Sequence, residues 1–170
     1  ILLYYGQSNM EKKFYYYTIM TTGRTGSDYL QCCLDSVPGL ITLTGKTFFK
    51  KFFLESKFHI IKNNKKKVIN KFLKSYSNLF DNDILENKKI NIDKFKFRKK
   101  FLKNVQKINL DEKNFIYNIF VAFEESTRNN LNKIKSIVNH SHSLEETKYF
   151  LKLFPKSKLI VTIRDPLENL

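Results

Sequence analysis

The stretch that most constrains the fold is an apolar run that ends in a glycine- and hydroxyl-rich loop and continues at once with helical spacing. It runs from Tyr17 to Ser36 and reads YTIMTTGRTGSDYLQCCLDS. Residues 15–21 are β-rich and mostly apolar, which predicts a buried strand. Residues 27–36 predict a helix that Ser27 or Asp28 can cap. This order is typical of the start of a β-α-β unit.

A second pattern of the same kind lies near the other end of the sequence. Residues 111–131 contain an amphipathic helix, and an apolar segment at 134–139 predicts a strand. A capping box formed by Ser143 and Glu146 then predicts a helix start, and residues 158–163 form a continuous apolar run of the parallel-strand type. The alternation predicts an α/β fold, a parallel β-sheet flanked by helices.

The middle of the sequence has weaker periodicity. We expect one domain over residues 14–170, preceded by an N-terminal extension at 1–13. A helical, lysine-rich insertion is expected at about 47–107, with loops at NNKKK and SNLFDND. The last residues resemble a helix start, so we expect the chain to be a fragment of a larger domain, truncated at its C-terminus.

Positive charge is concentrated in one block. The net charge is +15, and residues 50–107 hold 18 lysines and arginines against 5 acidic residues. Such a block can attract nucleic acid, anionic lipid or an acidic glycan. The favoured interpretation is a solvated surface, because the block is also rich in Asn, Ile and Phe, as expected for a proteome biased towards lysine and asparagine. The aromatic residues of the block have the pattern of core positions.

The two cysteines and the hydropathy bear on the compartment. Cys32 and Cys33 are adjacent in a predicted helix, where neighbouring side chains diverge, so a disulfide between them is not expected. A reducing, cytoplasmic setting is the expectation. No apolar run approaches the roughly 18 residues of a membrane span.

The loop after the first strand has the features of a phosphate-binding site. Gly26 lets the backbone approach an anion closely. The amides of Gly26, Ser27 and Asp28 lie at a helix N-terminus, where the dipole favours a phosphate. Thr25 and Ser27 add hydroxyl donors, and Arg24 adds a charge. The alternative is an ordinary strand-to-helix turn with a surface arginine.

This loop differs from the nucleotide triphosphatase loop, which ends in Gly-Lys-Ser/Thr. No lysine follows Gly26. A second arginine, Arg164, follows the 158–163 strand at the same predicted sheet edge. Arg164 either pairs with a carboxylate such as Asp165 or binds a second phosphate of the same ligand.

The segments TTGRTGSDYLQCCLDS and FPKSKLIVTIRDPLENL together resemble the PAPS-dependent sulfotransferases, where PAPS is 3′-phosphoadenosine 5′-phosphosulfate. The resemblance covers these two ends of the domain and not its middle. It implies a P-loop NTPase-like, three-layer α/β fold and PAPS as the sulfuryl donor, with no metal. The acceptor would be an unidentified small molecule or glycan.

The resemblance assigns roles to the loop residues. Arg24 matches the family's loop cation, which neutralises the oxygen between phosphate and sulfate as the S–O bond breaks. Thr25, Gly26 and Ser27 match the cradle of the 5′-phosphate. Asp28 stands in this nucleotide-binding segment where many members have Ser or Thr. Its carboxylate would repel a phosphate, so we expect it to cap the helix or point away.

Further matches lie towards the C-terminal end. Arg164 matches the arginine that holds the 3′-phosphate, and a serine that accompanies it in the family would fall beyond the last residue here. A histidine of the family often acts as the base shortly before this strand. His142 is the first choice for that role and His140 the second, and both share a face in an extended chain.

Other interpretations of the histidines and of the whole chain stay open. His140 and His142 could be a surface pair or half of a metal site, which needs a third ligand that the sequence does not identify. The chain could be a kinase-like phosphotransferase with an aberrant loop, which magnesium dependence would reveal. It could also be a non-catalytic nucleic-acid-binding module, although nucleic acid is not the expected partner.

Overall fold

The structure, a computed structural model, describes residues 14–21, 25–35, 37–43, 47–81, 93–127 and 131–163. These residues form four strands, eight α-helices and one short 3₁₀ turn. In chain order they are β1 (Tyr15–Thr21), α1 (Ser27–Asp35), β2 (Leu40–Thr42), α2 (Phe49–Glu55), α3 (Phe58–Ile61), α4 (Lys65–Ser75), α5 (Asn78–Asp81), α6 (Lys94–Val105), α7 (Glu112–Thr127), the turn Leu131–Lys133, β3 (Ser136–Ser141), α8 (Leu144–Leu153) and β4 (Lys158–Thr162).

The four strands form one parallel sheet in the order β2-β3-β1-β4. β1 lies between two partners. It pairs with β3 from Tyr15 opposite Ser136 to Met20 opposite Ser141, and its second half pairs with β4. The predicted α/β fold with a parallel, helix-flanked sheet is confirmed.

The chain leaves β1 and β3 in opposite directions. From β1 it passes through α1 to β2, beyond β3, whereas from β3 it passes through α8 to β4, beyond β1. Right-handed crossovers place the two helices on opposite faces of the sheet. Adjacent strands with diverging connections form a topological switch point, and ligands of open α/β sheets bind in the crevice at its carboxyl edge. This crevice lies beyond Thr21 and Ser141.

The region predicted as a helical insertion folds into helices around a phenylalanine core. Phe115 of α7 has ring contacts, with centroids 5.3 to 5.5 Å apart, to five phenylalanines of α2, α3, α4 and α6. These are Phe52, Phe53, Phe58, Phe72 and Phe101, all at most 5% exposed. The helical prediction is confirmed for the described part of the region, and most of its aromatic residues lie in the core as predicted, although Phe95 is exposed. No helix in the described ranges is long and apolar enough to cross a bilayer.

The two loops predicted inside this region are wrong in part. α4 begins at Lys65, within NNKKK, because the Asn64 side chain accepts a hydrogen bond from the Lys67 amide and caps the helix. Lys65 Nζ also donates to carbonyls at and just after the end of α6, including that of Ile108 at 2.9 Å. In SNLFDND, Asn78–Asp81 form a single helical turn where a loop was expected, and residues 82 and 83 lie outside the described residues.

The predicted capping box at α8 is formed only on one side. Ser143 Oγ accepts from the Glu146 amide at 3.4 Å, as predicted. The Glu146 carboxylate does not complete the box. It accepts instead from the amides of Lys50 and Lys51, at 2.8 and 2.9 Å, in the first turn of α2. A buried glutamate therefore fastens the helical region to the sheet-flanking helix α8.

Three strands differ from the prediction. The three-residue β2 was not predicted, because so short a segment carries no periodicity. β3 begins and ends two residues later than expected, so it contains His140. A buried strand can end in polar residues where it meets a ligand crevice. β4 was expected to be buried, yet Leu159 and Val161 are 46% and 44% exposed, because β4 is an edge strand among the described residues.

Candidate functional site

The loop that follows β1 is anchored by hydroxyl groups. Thr25 Oγ1 lies 2.6 Å from Thr21 Oγ1 at the end of β1 and 2.7 Å from Thr162 Oγ1 at the end of β4. The loop is therefore tied to the carboxyl ends of two neighbouring strands. The predicted loop cation, Arg24, lies outside the described residues.

Gly26 gives this loop a backbone conformation that other residues adopt poorly. Its φ is +76°, in the left-handed region, and a Cβ placed there would meet no atom within 4 Å. Glycine is therefore required by the backbone angle and not by crowding. The Leu30 amide donates to the Gly26 carbonyl, so the amides of Ser27 and Asp28 precede the helix's own hydrogen-bond ladder. Ser27 is 3% exposed.

The helix that follows turns a different face to the sheet than the sequence suggests. The apolar residues whose spacing predicted α1 include Tyr29, which is 77% exposed. The buried residues of α1 are Ser27 and Gln31 instead. Gln31 is a residue of the site that sequence reasoning missed. Gln31 lies three positions after Asp28, so the two residues share one face of the helix. From this spacing, Gln31 could have been predicted as a residue of the site.

Gln31 orients the buried histidine. Its amide nitrogen donates to the Leu43 carbonyl, and its Oε1 lies 2.5 Å from His140 Nδ1. Because the Leu43 carbonyl can only accept, the Gln31 oxygen must face His140, and the hydrogen bond assigns the proton to Nδ1. The His140 side chain is 2% exposed.

His142 is the accessible histidine, and Asp28 contacts it. Asp28 Oδ1 lies 3.3 Å from His142 Nε2 and 3.7 Å from His140 Nδ1. The side chains of His142 and Asp28 are 21% and 59% exposed. Asp28 does not occupy the cap position, since α1 begins at Ser27. Its carboxylate turns to the histidines.

Three potential metal ligands are thereby brought together. Asp28, His140 and His142 each offer one ligand atom, and these atoms lie within 4.8 Å of one another. The two histidine rings have centroids 4.7 Å apart, in agreement with the predicted shared face. The sequence does not identify a third ligand for the histidines, because Asp28 is distant in sequence and adjacent in space.

The second predicted arginine is not described. β4 ends at Thr162, and Arg164 lies outside the described residues. The hydrogen bond between Thr162 and Thr25 brings the end of β4 to the phosphate-type loop. The carboxyl ends of β1, β3 and β4 thus carry the loop and the histidines at one edge of the sheet.

Cys32 of α1 does not have the properties of a nucleophile. Burial, followed by the negative charges of Asp35 and Asp28, raises the pKa of the Cys32 thiol. A hydrogen bond to Cys33 raises the pKa of the Tyr29 hydroxyl. A reactive thiol needs a lowered pKa, so Cys32 is not a candidate nucleophile. Both cysteines are free thiols.

The lysine-rich helices use part of their charge structurally. A cavity of about 640 Å³ there is lined by Asn63, Asn64, Lys65, Lys66, Leu102 and Gln106. Lys65 is engaged with the end of α6. Aromatic side chains that would stack on nucleic-acid bases are mostly in the core, although Phe95 is 70% exposed.

Comparison with known proteins gives no assignment. No family model matches the chain, and neither a curated protein nor a solved structure matches it significantly. The functional argument therefore depends on the site itself.

Proposed function

We propose that the chain carries the nucleotide-binding part of a PAPS-dependent sulfotransferase with a P-loop NTPase-like fold, acting on a small-molecule or glycan hydroxyl. One observation carries the proposal. The glycine loop and the accessible histidine lie together at the switch point between β1 and β3, where α/β enzymes bind their ligands. The resemblance of the two strand–loop segments to sulfotransferases supplies the reaction class.

The loop has what an anionic ligand requires. Gly26 leaves open space above the backbone, and the amides of Ser27 and Asp28 stand at the positive end of α1. In the proposal, these groups hold the 5′-phosphosulfate with Arg24, while Arg164 holds the 3′-phosphate. The hydroxyl of Thr25 fixes the loop to β4 by its bond to Thr162, and so acts through the shape of the cradle.

His142 is the base in this proposal. If His142 Nε2–H donates to Asp28, the lone pair lies on Nδ1, which takes the proton of the acceptor hydroxyl. The acceptor oxygen then forms a bond to sulfur while the sulfur–oxygen bond to the 5′-phosphate breaks. Adenosine 3′,5′-bisphosphate leaves with the electron pair, and Arg24 balances its charge. Burial of His140 favours a positioning role for that residue.

Calorimetric titration with adenosine 3′,5′-bisphosphate tests the proposal, with ATP plus magnesium titrated in parallel. We expect binding of the bisphosphate in the presence of EDTA and loss of that binding in Arg24→Ala and Arg164→Ala. Lys67→Ala, which removes one exposed positive charge from α4, is the matched control and should bind as the parent does. His142→Ala should retain binding, because its role is towards the acceptor.

The outcomes separate the alternatives. A preference for ATP with magnesium would favour a kinase-like phosphotransferase. Binding of DNA or RNA with a steep salt dependence that survives Arg24→Ala would favour a nucleic-acid-binding module. Failure of a folded chain to bind the bisphosphate would overturn the proposed nucleotide site.

A further inference from the structure

We propose that Asp28, His140 and His142 form a binding site for one divalent transition-metal ion of the zinc or cobalt type. The inference rests on the geometry of these three side chains and not on the sulfotransferase proposal. The sequence alone does not identify a complete set of donor atoms for this ion.

The distances fit a metal site that is already partly assembled. With metal–ligand bonds of about 2.0–2.1 Å, two ligands at a tetrahedral angle lie about 3.3 Å apart. The Asp28 carboxylate oxygen lies 3.3 Å from His142 Nε2 and 3.7 Å from His140 Nδ1. Small side-chain movements are therefore enough to place all three donor atoms around one ion.

The donor set selects the class of metal. Two imidazoles and one carboxylate suit zinc, cobalt and iron(II), whereas magnesium and calcium favour oxygen ligands alone. Three protein ligands leave further coordination positions open, as in catalytic zinc sites. The exposed carboxylate of Asp28 leaves the cluster open to solvent, so an ion can enter and a water can complete its coordination.

The buried side of the cluster is held by Gln31 and Leu43. Their hydrogen bonds fix the His140 ring, as partners behind a ligand commonly do. A metal that binds His140 Nδ1 displaces its proton to solvent and separates it from Gln31 Oε1. The cost of that exchange makes the site weaker than a structural zinc site and suited to a reversibly bound ion.

Metal binding has a consequence for the proposed transfer reaction. An ion on His142 Nε2 requires the imidazole tautomer that carries its proton on Nδ1, so Nδ1 has no lone pair to accept the proton of the acceptor hydroxyl. If the sulfotransferase proposal also holds, zinc inhibits sulfuryl transfer. The two proposals can fail separately, because nucleotide binding is measured in EDTA and metal binding without nucleotide.

The test uses the whole chain with both thiols replaced, Cys32→Ser and Cys33→Ser, so that cysteine cannot supply the ligands. Zinc chloride is titrated by calorimetry, and cobalt chloride by visible absorption, in metal-free buffer. We expect one ion per chain and a cobalt spectrum more intense than that of the aqueous ion. Asp28→Ala and His142→Ala should each weaken binding at least about tenfold.

His59→Ala is the matched control, because His59 is an exposed histidine of α3 outside the cluster. It should leave the zinc affinity unchanged. Circular dichroism confirms that each variant is folded, and Asp28 and His142 are partly exposed, so neither substitution removes core contacts. The proposal is overturned if the folded parent binds no zinc, or if binding survives the loss of Asp28 and His142.

Discussion

Asp28 and His142 lie 114 positions apart in the sequence, and their Oδ1 and Nε2 atoms lie 3.3 Å apart. The contact follows from the pairing of β1 with β3. Asp28 lies in the first turn of the helix after β1, and His142 is the first residue after β3. Because Asp28 directly follows Ser27, the same carboxylate also puts a negative charge at the mouth of the proposed phosphate site.

Replacement of Asp28 by asparagine is therefore expected to tighten binding of adenosine 3′,5′-bisphosphate. Removing one exposed negative charge a few ångströms from a phosphate is worth about 1 kcal/mol, or about fivefold in affinity. Calorimetric titration at low salt measures the change. Glu55→Gln removes the same charge from an exposed position in α2 and should have no such effect. Equal or weaker binding in Asp28→Asn would show that no phosphate lies near this carboxylate.

The sequence predicts the local parts of this site better than their assembly. β1, the loop and α1 follow one another, so their pattern indicates both their structure and their order. The spacing of His140 and His142 likewise predicts a shared face. The contacts of Asp28 with the histidines and of Gln31 with Leu43 depend on which strands pair, and no local pattern encodes that.

The lysine-rich region illustrates the same limit. Its phenylalanines predict a helical core, because their burial follows from hydrophobicity. The attachment of that core to α8 through Glu146 could not be predicted, since the Ser-Leu-Glu-Glu motif assigns this carboxylate to its own helix. Long-range donors, the amides of Lys50 and Lys51, replace the local donor, the Ser143 amide.

Alanine substitutions at Gly26 and Gly39 should lower the free energy of unfolding by different amounts. Both glycines have positive φ, +76° and +91°, but only at Gly39 would a Cβ crowd a neighbour, the Lys133 carbonyl oxygen at 3.3 Å. Gly26→Ala should lower the free energy of unfolding by about 1 kcal/mol through backbone strain, and Gly39→Ala should lower it further. Urea denaturation measures both.

Gly26→Ala and Gly39→Ala should also differ in their effect on ligand binding. A Cβ at residue 26 enters the open space over the loop, so Gly26→Ala should weaken binding of adenosine 3′,5′-bisphosphate. Gly39→Ala should leave it unchanged in the folded fraction. If Gly39→Ala weakened binding and Gly26→Ala did not, the nucleotide would have to bind away from the loop that contains Gly26.

Adjacent glutamates at the start of α8 should differ sharply in their effect on stability. Glu146 is 7% exposed and accepts two backbone amides of α2. Glu146→Ala leaves those amides without their acceptor and should lower the free energy of unfolding by about 3 kcal/mol. Glu145 forms an exposed ion pair with Lys50, so Glu145→Ala should leave stability essentially unchanged. Similar effects in urea denaturation would rule out the proposed anchoring role of Glu146.

Tyr76 should give the fold a distinctive sensitivity to alkali. Burial raises its pKa to about 12, while the Phe48 amide, which donates to the Tyr76 hydroxyl oxygen at 3.2 Å, opposes the shift. An unfolded tyrosine loses its proton near pH 10. Between about pH 10 and 12 the unfolded state is thus ionised and the folded state is not, so the stabilisation present below pH 10 is lost as pH rises.

Tyr76→Phe removes that contribution and should flatten the fall in stability over this interval. At pH 7 the variant should be less stable by about 1–2 kcal/mol, because the Phe48 carbonyl and amide both lose a hydrogen-bond partner. The pKa of Tyr149 is also raised, chiefly by burial, but that residue is present in both proteins and cancels in the comparison. Urea denaturation at pH 8, 10 and 11 supplies the curves. Parallel curves for the two proteins would show that the Tyr76 hydroxyl is not buried against Phe48.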